Sequence, residues 1–201
     1  MAGIGLYGVY YSVATKSDGI VTGYSGVETM GKAINVSFEP NEGDSNDLYA
    51  NNAIAESDAS SGSGGTITFT LDRLTEDAAA DLFGLTKTSS SVTVNSTSVT
   101  GTGFDYSGDE QANSVGVAFI IWGQENNDRN HHKAVIYRDV TFKLPSISAQ
   151  TVGESIEWQT PELEGTVIGK DGTNPWFKTR EFPSQAAAIQ YITDEFAAST
   201  P

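Results

Sequence analysis

The sequence predicts a mainly β fold: a β-sandwich or barrel-like sheet pair with one flanking α-helix, a long inter-strand loop and a C-terminal helical extension. Three observations predict it. Several short segments alternate apolar and polar residues, the pattern of strands with one wet face. Two other segments are apolar on both faces and need cover on both. Helix signals are confined to two short stretches.

The alternating segments are Ile34, Val36 and Phe38, interleaved with Asn35, Ser37 and Glu39, and Ile67, Phe69 and Leu71, interleaved with threonines. A third, Ala134–Leu144, sets Ile136, Val140, Phe142 and Leu144 on one face and Val135, Tyr137 and Thr141 on the other, with Arg138 interrupting the apolar side. The two-faced segments are Ile4–Val13 and Val115–Trp122. Ile4, Leu6 and Tyr10 oppose Tyr7, Val9, Tyr11 and Val13 in the first; the odd positions oppose Ala118, Ile120 and Trp122 in the second. Their second cover has three possible sources: another sheet, a helix or a neighbouring subunit. Tyr7, Val9, Tyr11, Val13, Ile120 and Trp122 are therefore candidate subunit-interface residues.

Thr75 before Glu76 and Asp77 is an N-cap signal, and Gly84 a stop, with Leu74, Ala78, Leu82 and Leu85 as the buried stripe. After Pro183, Ser184 caps a helix over Gln185–Ala198 carrying Ile189, Ile192 and Phe196 at spacings of three and four. These signals divide the chain into a β domain over 1–180 and an extension over 181–201. The Ser/Thr-rich Ser89–Gly103, with Val92, Val94 and Val99, suits a hairpin.

Between two strand patterns lies Pro40–Gly65, PNEGDSNDLYANNAIAESDASSGSGG. Loops this long are uncommon in compact domains and are usually functional or disordered. Its first half carries the anchor pair Leu48 and Tyr49; Ala55–Gly65 is small, polar and expected to be slack.

Charge and composition exclude several functions. The 201 residues hold 11 basic and 26 acidic side chains, net −15, spread evenly: 12 acids and 4 bases over 1–100, 14 and 7 over 101–201. That distribution opposes tight binding to a nucleic-acid backbone. No cysteine is present, which removes disulfides and thiolate metal sites. The opening carries no basic stretch of the kind that begins a secretion signal, and no apolar run is long enough to span a membrane. His131 and His132 are adjacent and would point to opposite faces of a strand, so they cannot chelate one ion together. Asp44 and Asn46 begin like a calcium loop, but Leu48 and the missing Gly and Glu break the pattern. No catalytic constellation is recognisable, and neither an enzyme nor a cofactor is expected.

Taken together, GLYGVYYSVAT near the start, SFEPNEGDSNDLYANNA (Ser37–Ala53), LTEDAAADLFGL (Leu74–Leu85), KAVIYRDVTFKLPS (Lys133–Ser146) and GESIEWQTPELEGTV (Gly153–Val167) occur in an order that resembles the major tail proteins, the tail-tube subunits, of long-tailed siphovirus-type bacteriophages and prophages. The resemblance spans most of residues 3–170. It implies a virion structural protein that forms stacked rings, typically hexameric, around a lumen. Its partners would be copies of itself, a tape-measure protein, and terminator and tip proteins. Double-stranded DNA would pass through without being held, and no membrane is involved. A negative lumen would let DNA slide. On this reading the long loop is the inter-ring contact, through Glu39, Pro40, Asp44, Asp47, Leu48 and Tyr49. Two alternatives stay open: a contractile-tail or secretion-type tube subunit, and a monomeric carbohydrate-binding sandwich presenting Trp158, Trp176 and Phe177.

Overall fold

A computed structural model describes residues 2–41, 45–50, 53–59, 63–125, 127–146, 160–169 and 174–197, with 45–50 and 53–59 described as backbone. Among them run thirteen strands and two helices: β1 (Ala2–Ser17), β2 (Ile20–Tyr24), β3 (Glu28–Gly31), β4 (Ala33–Pro40), β5 (Ser45–Ala50), β6 (Ala53–Ala59), β7 (Gly65–Leu71), α1 (Glu76–Phe83), β8 (Lys87–Val94), β9 (Thr97–Phe104), β10 (Ser114–Glu125), β11 (Asp128–Phe142), β12 (Glu162–Val167), β13 (Phe177–Phe182) and α2 (Gln185–Ala197). The fold is mainly β with antiparallel pairing, as the alternation predicts.

Nine strands form one sheet in the order β2-β1-β10-β11-β12-β7-β4, with β3 also paired to β1 and β13 to β11. Only Lys32 separates β3 from β4, so the path β3-β1-β10-β11-β12-β7-β4 begins and ends on one stretch of chain. The sheet thereby wraps around a single interior, which limits the exposed edges that invite aggregation. The corner is tight. Lys32 donates its backbone N–H to Asp72 Oδ1 at 2.8 Å, Asp72 returns a bond to Lys32 O at 2.9 Å, and a Cβ on Gly31 would sit 2.2 Å from Arg73 O.

The interior is filled by Val9, Tyr11, Phe69, Val117, Phe119 and Phe142 among others, all nearly inaccessible to solvent. Phe69 meets Phe119 edge-on at 6.2 Å and Phe142 at 6.0 Å. Helix α1 closes one side, burying Ala78, Leu82 and Phe83. Thr75 caps it, accepting the Ala78 N–H at 3.2 Å, and Gly84 ends it in the left-handed conformation with its Cβ position 2.2 Å from Gln111 O. Thr75→Ala removes the cap acceptor and should lower stability by about 1 kcal/mol, read as a reduced urea midpoint at unchanged slope.

Tyr11 sends its hydroxyl to Asp81 at 2.8 Å and Glu28 at 3.2 Å, joining β1 to α1 and β3. Burial, then the Asp81 bond, raises its pKa well above that of a free tyrosine. Burial also pushes Tyr137 up to about 12. In the segment before β10, Glu110 accepts the backbone N–H groups of Ser107 at 2.6 Å and Gly108 at 2.8 Å, which hold its carboxyl down to about 2.

The outer face of β10 and β11 is covered by α2. Ala188, Ile192 and Phe196 pack on Ala118, Ile120, Ala134 and Ile136. Ser184 Oγ accepts the Ala187 N–H at 3.3 Å, as the capping signal predicts. The two-faced strands thus find both covers within the chain, the wrapped sheet inside and α2 outside. The 180/181 division drawn from the sequence falls inside β13, which pairs with β11 and is tied to α2 by Lys178–Glu195 at 2.6 Å.

Three bulges correct the faces expected from simple alternation. At Gly8 (φ +60°) the register shifts between Tyr7 and Val9, so Leu6 packs with the Val9 interior and Tyr7 turns outward. At Ile34 the register shifts between Ala33 and Asn35; Ala33 packs inward while Ile34 is 55% exposed. In β11 the partners of Val115 and Val117 are Val140 and Tyr137, an extra residue at Arg138–Asp139. Tyr137 therefore shares the interior with Val140 and Phe142, whereas Ile136 faces α2. Each bulge adds one residue to one strand and inverts the alternation beyond it. Leu144, placed on the apolar face from the sequence, lies past the end of β11 and is exposed.

Candidate assembly surfaces

The residues expected at a subunit interface separate into two groups. Val9, Tyr11 and Ile120 are at most 1% exposed inside the chain's own layers, and Val13 packs against the interior. They are core residues, because the wrapped sheet and α2 already cover them. Tyr7 and Trp122 behave differently. Beyond the Gly8 bulge, Tyr7 is 47% exposed. With Leu6, Trp122, His132 and Gln185 it lines a hollow of about 200 Å³ where β1, β10, β11 and the start of α2 meet. Trp122 is fixed by its Nε1–H donating to Arg129 O at 2.7 Å. The Nδ1 atom of His132 is buried there with no hydrogen-bond partner.

Of the expected inter-ring contact, Glu39 and Pro40 end β4, exposed and opposite Thr66 and Gly65. Asp44 lies outside the described residues. Asp47, Leu48 and Tyr49 lie in β5, paired by backbone with Ser57, Glu56 and Ile54 of β6. This corrects the expectation of slack in part: Ala55–Ala59 belong to β6, which pairs with the first half. The hairpin's base is held where Asn41 donates its backbone N–H to Gly64 O at 3.1 Å. Gly64 has φ +77°, with a Cβ position 2.4 Å from Val167 O, so the crossing there requires glycine.

Among the described residues, one exposed element is a segment that the sequence marked only as a hairpin. Strands β8 and β9 pair from Lys87↔Phe104 to Val94↔Thr97, turning through Asn95 and Ser96, both at positive φ. That is a type I′ turn, matched to the twist of a two-stranded ribbon. The register puts Val92, Val94 and Val99 on one face with Thr88, Ser90, Thr97, Gly101 and Gly103, and the three valines are each more than half exposed. The other face is hydroxyl-bearing: Ser91 and Thr100 bond each other at 2.8 Å. Near its base the ribbon is fastened to α1, Thr102 donating to Glu76 at 3.2 Å and Lys87 pairing with Asp77. Between Lys87 and Asp105 it carries no charge, in a chain of net charge −15.

Of the aromatics expected of a glycan module, Trp158 lies outside the described residues; Trp176 packs against Phe38 at 6.1 Å and Tyr137 at 6.4 Å, and the exposed Phe177 lies against Tyr137 at 5.1 Å and Trp176 at 5.6 Å. No described helix is long and apolar enough to cross a membrane. The chain matches no known protein family, and no curated protein matches it.

Proposed function

We propose that the protein is a structural subunit of a phage-type tail tube. It assembles with copies of itself into stacked rings, and belongs in the virion as a conduit for DNA. The observation that carries this reading is the uncovered β8–β9 ribbon. A two-stranded ribbon is marginal alone in water, and one exposing three valines on a charge-free surface is suited to burial by a partner. The chain's strong negative charge disfavours self-association elsewhere, so an uncharged ribbon is where another copy approaches at least electrostatic cost. A head-to-tail contact of this kind closes into a ring when its rotation permits. The ordered segments that resemble tail-tube subunits supply the identity of the assembly. The Tyr7–Trp122 hollow and the β5–β6 hairpin are further places for neighbours to engage. A contractile-tail or secretion-type tube would share the ring and add a sheath partner.

Electron microscopy of the purified chain tests the proposal: rings or tubes are expected, and monomers persisting at high concentration in assembly-promoting salt would overturn it. Two variants localise the contacts. Val92→Ser, Val94→Ser and Val99→Ser combined should reduce tube yield at least tenfold while the melting temperature stays within a few degrees. Replacing residues 42–62 by a short turn, across ends already 3.1 Å apart at Asn41 N and Gly64 O, should leave a folded protein that stacks poorly. Unchanged tube yield would remove the hairpin from the axial contact.

A further inference from the structure

The two histidines do not act together, but one of them sits among carboxylates brought in from other strands. One ligand atom each from Glu125, His131 and Glu181 lies within 4.8 Å of the others. Three adjacent strands supply them: Glu125 ends β10, His131 lies near the start of β11, and Glu181 is on β13. Gly123 is the β10 partner of His131. It brings no side chain to that side of the imidazole, and Glu125, two residues on, reaches the space from the strand end. Glu181 pairs with Lys133, two residues along β11 from His131 and on the same face.

We infer that Glu125, His131 and Glu181 bind one divalent transition-metal ion of the zinc class. One imidazole nitrogen and two carboxylate oxygens suit zinc or its neighbours, whereas calcium and magnesium take oxygen donors. Three protein ligands leave a fourth position for water or for a group from another molecule. His131 Nδ1 is 2.5 Å from Glu181 Oε1, so the donors already converge. Around an ion with bonds of about 2.0–2.2 Å, donor atoms lie roughly 3.3 Å apart. The two glutamates are exposed enough to make that adjustment by side-chain rotation.

Asp128 Oδ2 lies 4.0 Å from the other ring nitrogen, His131 Nε2, beyond hydrogen-bond distance, while Asp128 Oδ1 is held by the Asn130 N–H at 2.9 Å.

The test is zinc binding to the full chain after chelator treatment. Calorimetry should find one equivalent bound to the parent protein, at least tenfold weaker binding to His131→Asn and Glu181→Gln, and binding within twofold of the parent for His132→Asn. Cobalt should give a visible d–d absorption in the parent that is lost in His131→Asn, and neither calcium nor magnesium should saturate the site. Circular dichroism confirms that each variant is folded, and Glu125→Gln, which removes the third ligand, should likewise bind zinc at least tenfold more weakly. Undiminished zinc binding in His131→Asn, or no stoichiometric binding in the parent, would overturn the inference and leave a histidine–carboxylate ion pair. The result does not depend on the protein forming tubes.

Discussion

Asp139→Ala should be the most damaging single polar substitution in this chain, lowering stability by about 3 kcal/mol and the melting temperature by about 6–12 °C. Asp139 is 1% exposed at the β11 bulge, with Lys16 Nζ 2.6 Å from its carboxylate and the Ser114 hydroxyl donating to it. Its backbone is committed too: Asp139 O accepts the Ile168 N–H at 2.9 Å, while the adjacent Arg138 N–H goes to Trp176 O at 3.1 Å. The bulge is where β11 exchanges partners, β13 along His132–Tyr137 and β12 along Val140–Phe142. Alanine would leave the lysine and the serine hydroxyl facing a cavity. Because Lys16 is partly exposed and can turn to water, the cost belongs at the low end of the range for broken buried pairs. Asp139→Asn keeps the shape and an acceptor for Ser114 and should recover part of the loss. Urea unfolding of both variants checks this; a midpoint for Asp139→Ala equal to that of the parent would show that the pair does not hold the bulge.

That bulge also marks where the sequence stopped being legible. Alternation identified β4, β7 and β11 as strands because period-2 patterning is local. Thr75, Gly84 and Ser184 marked helix ends because capping is local as well. The face of each residue beyond Gly8, Ile34 and Arg138 was not legible. An inserted residue leaves composition unchanged and reverses everything after it. Gly8 carried a signal, a glycine inside an otherwise bulky strand, which often marks a bulge. Arg138–Asp139 carried another: two adjacent charges within an apolar run, which one regular strand could not place on the same wet side.

The candidate sites divide along the same line. Tyr7 and Trp122 could be named from the sequence because each is a large aromatic residue on a two-faced strand. Val9, Tyr11 and Ile120 looked equivalent and proved to be core. Their cover depends on long-range pairing of β3 with β1 and on where α2 docks. The grouping of Glu125 and Glu181 with His131 was not visible at all, since it rests on the registers of β10 and β13 against β11. The exposure of the β8–β9 valines was likewise set by what fails to pack on them.

Phe196→Ala should cost about 3–5 kcal/mol, and how that loss appears decides what α2 is. Phe196 is 1% exposed and meets Tyr24 edge-on at 4.8 Å. Beneath it lies Gly116, where a Cβ would fall 2.5 Å from the Phe196 ring and 2.6 Å from that of Tyr24. Tyr24 is itself anchored, its hydroxyl donating to Arg138 O at 2.9 Å. Gly116→Val should therefore destabilise by overpacking, by about 1–3 kcal/mol. Combined with Phe196→Ala it should cost less than the sum, because the new side chain occupies the space the ring vacates. If α2 belongs to its own subunit, Phe196→Ala lowers the stability of the isolated monomer and exposes the Ala118–Ile120 face, with faster hydrogen exchange in β10 and a tendency to aggregate. If α2 were an arm seated on a neighbour, the same substitution would leave monomer stability unchanged and reduce tube yield alone. The close fit of Phe196 over Gly116, with Lys178–Glu195 joining the helix to β13, favours the first outcome. It leaves the β8–β9 ribbon, not the C-terminal helix, as the element with an uncovered apolar face to offer another copy.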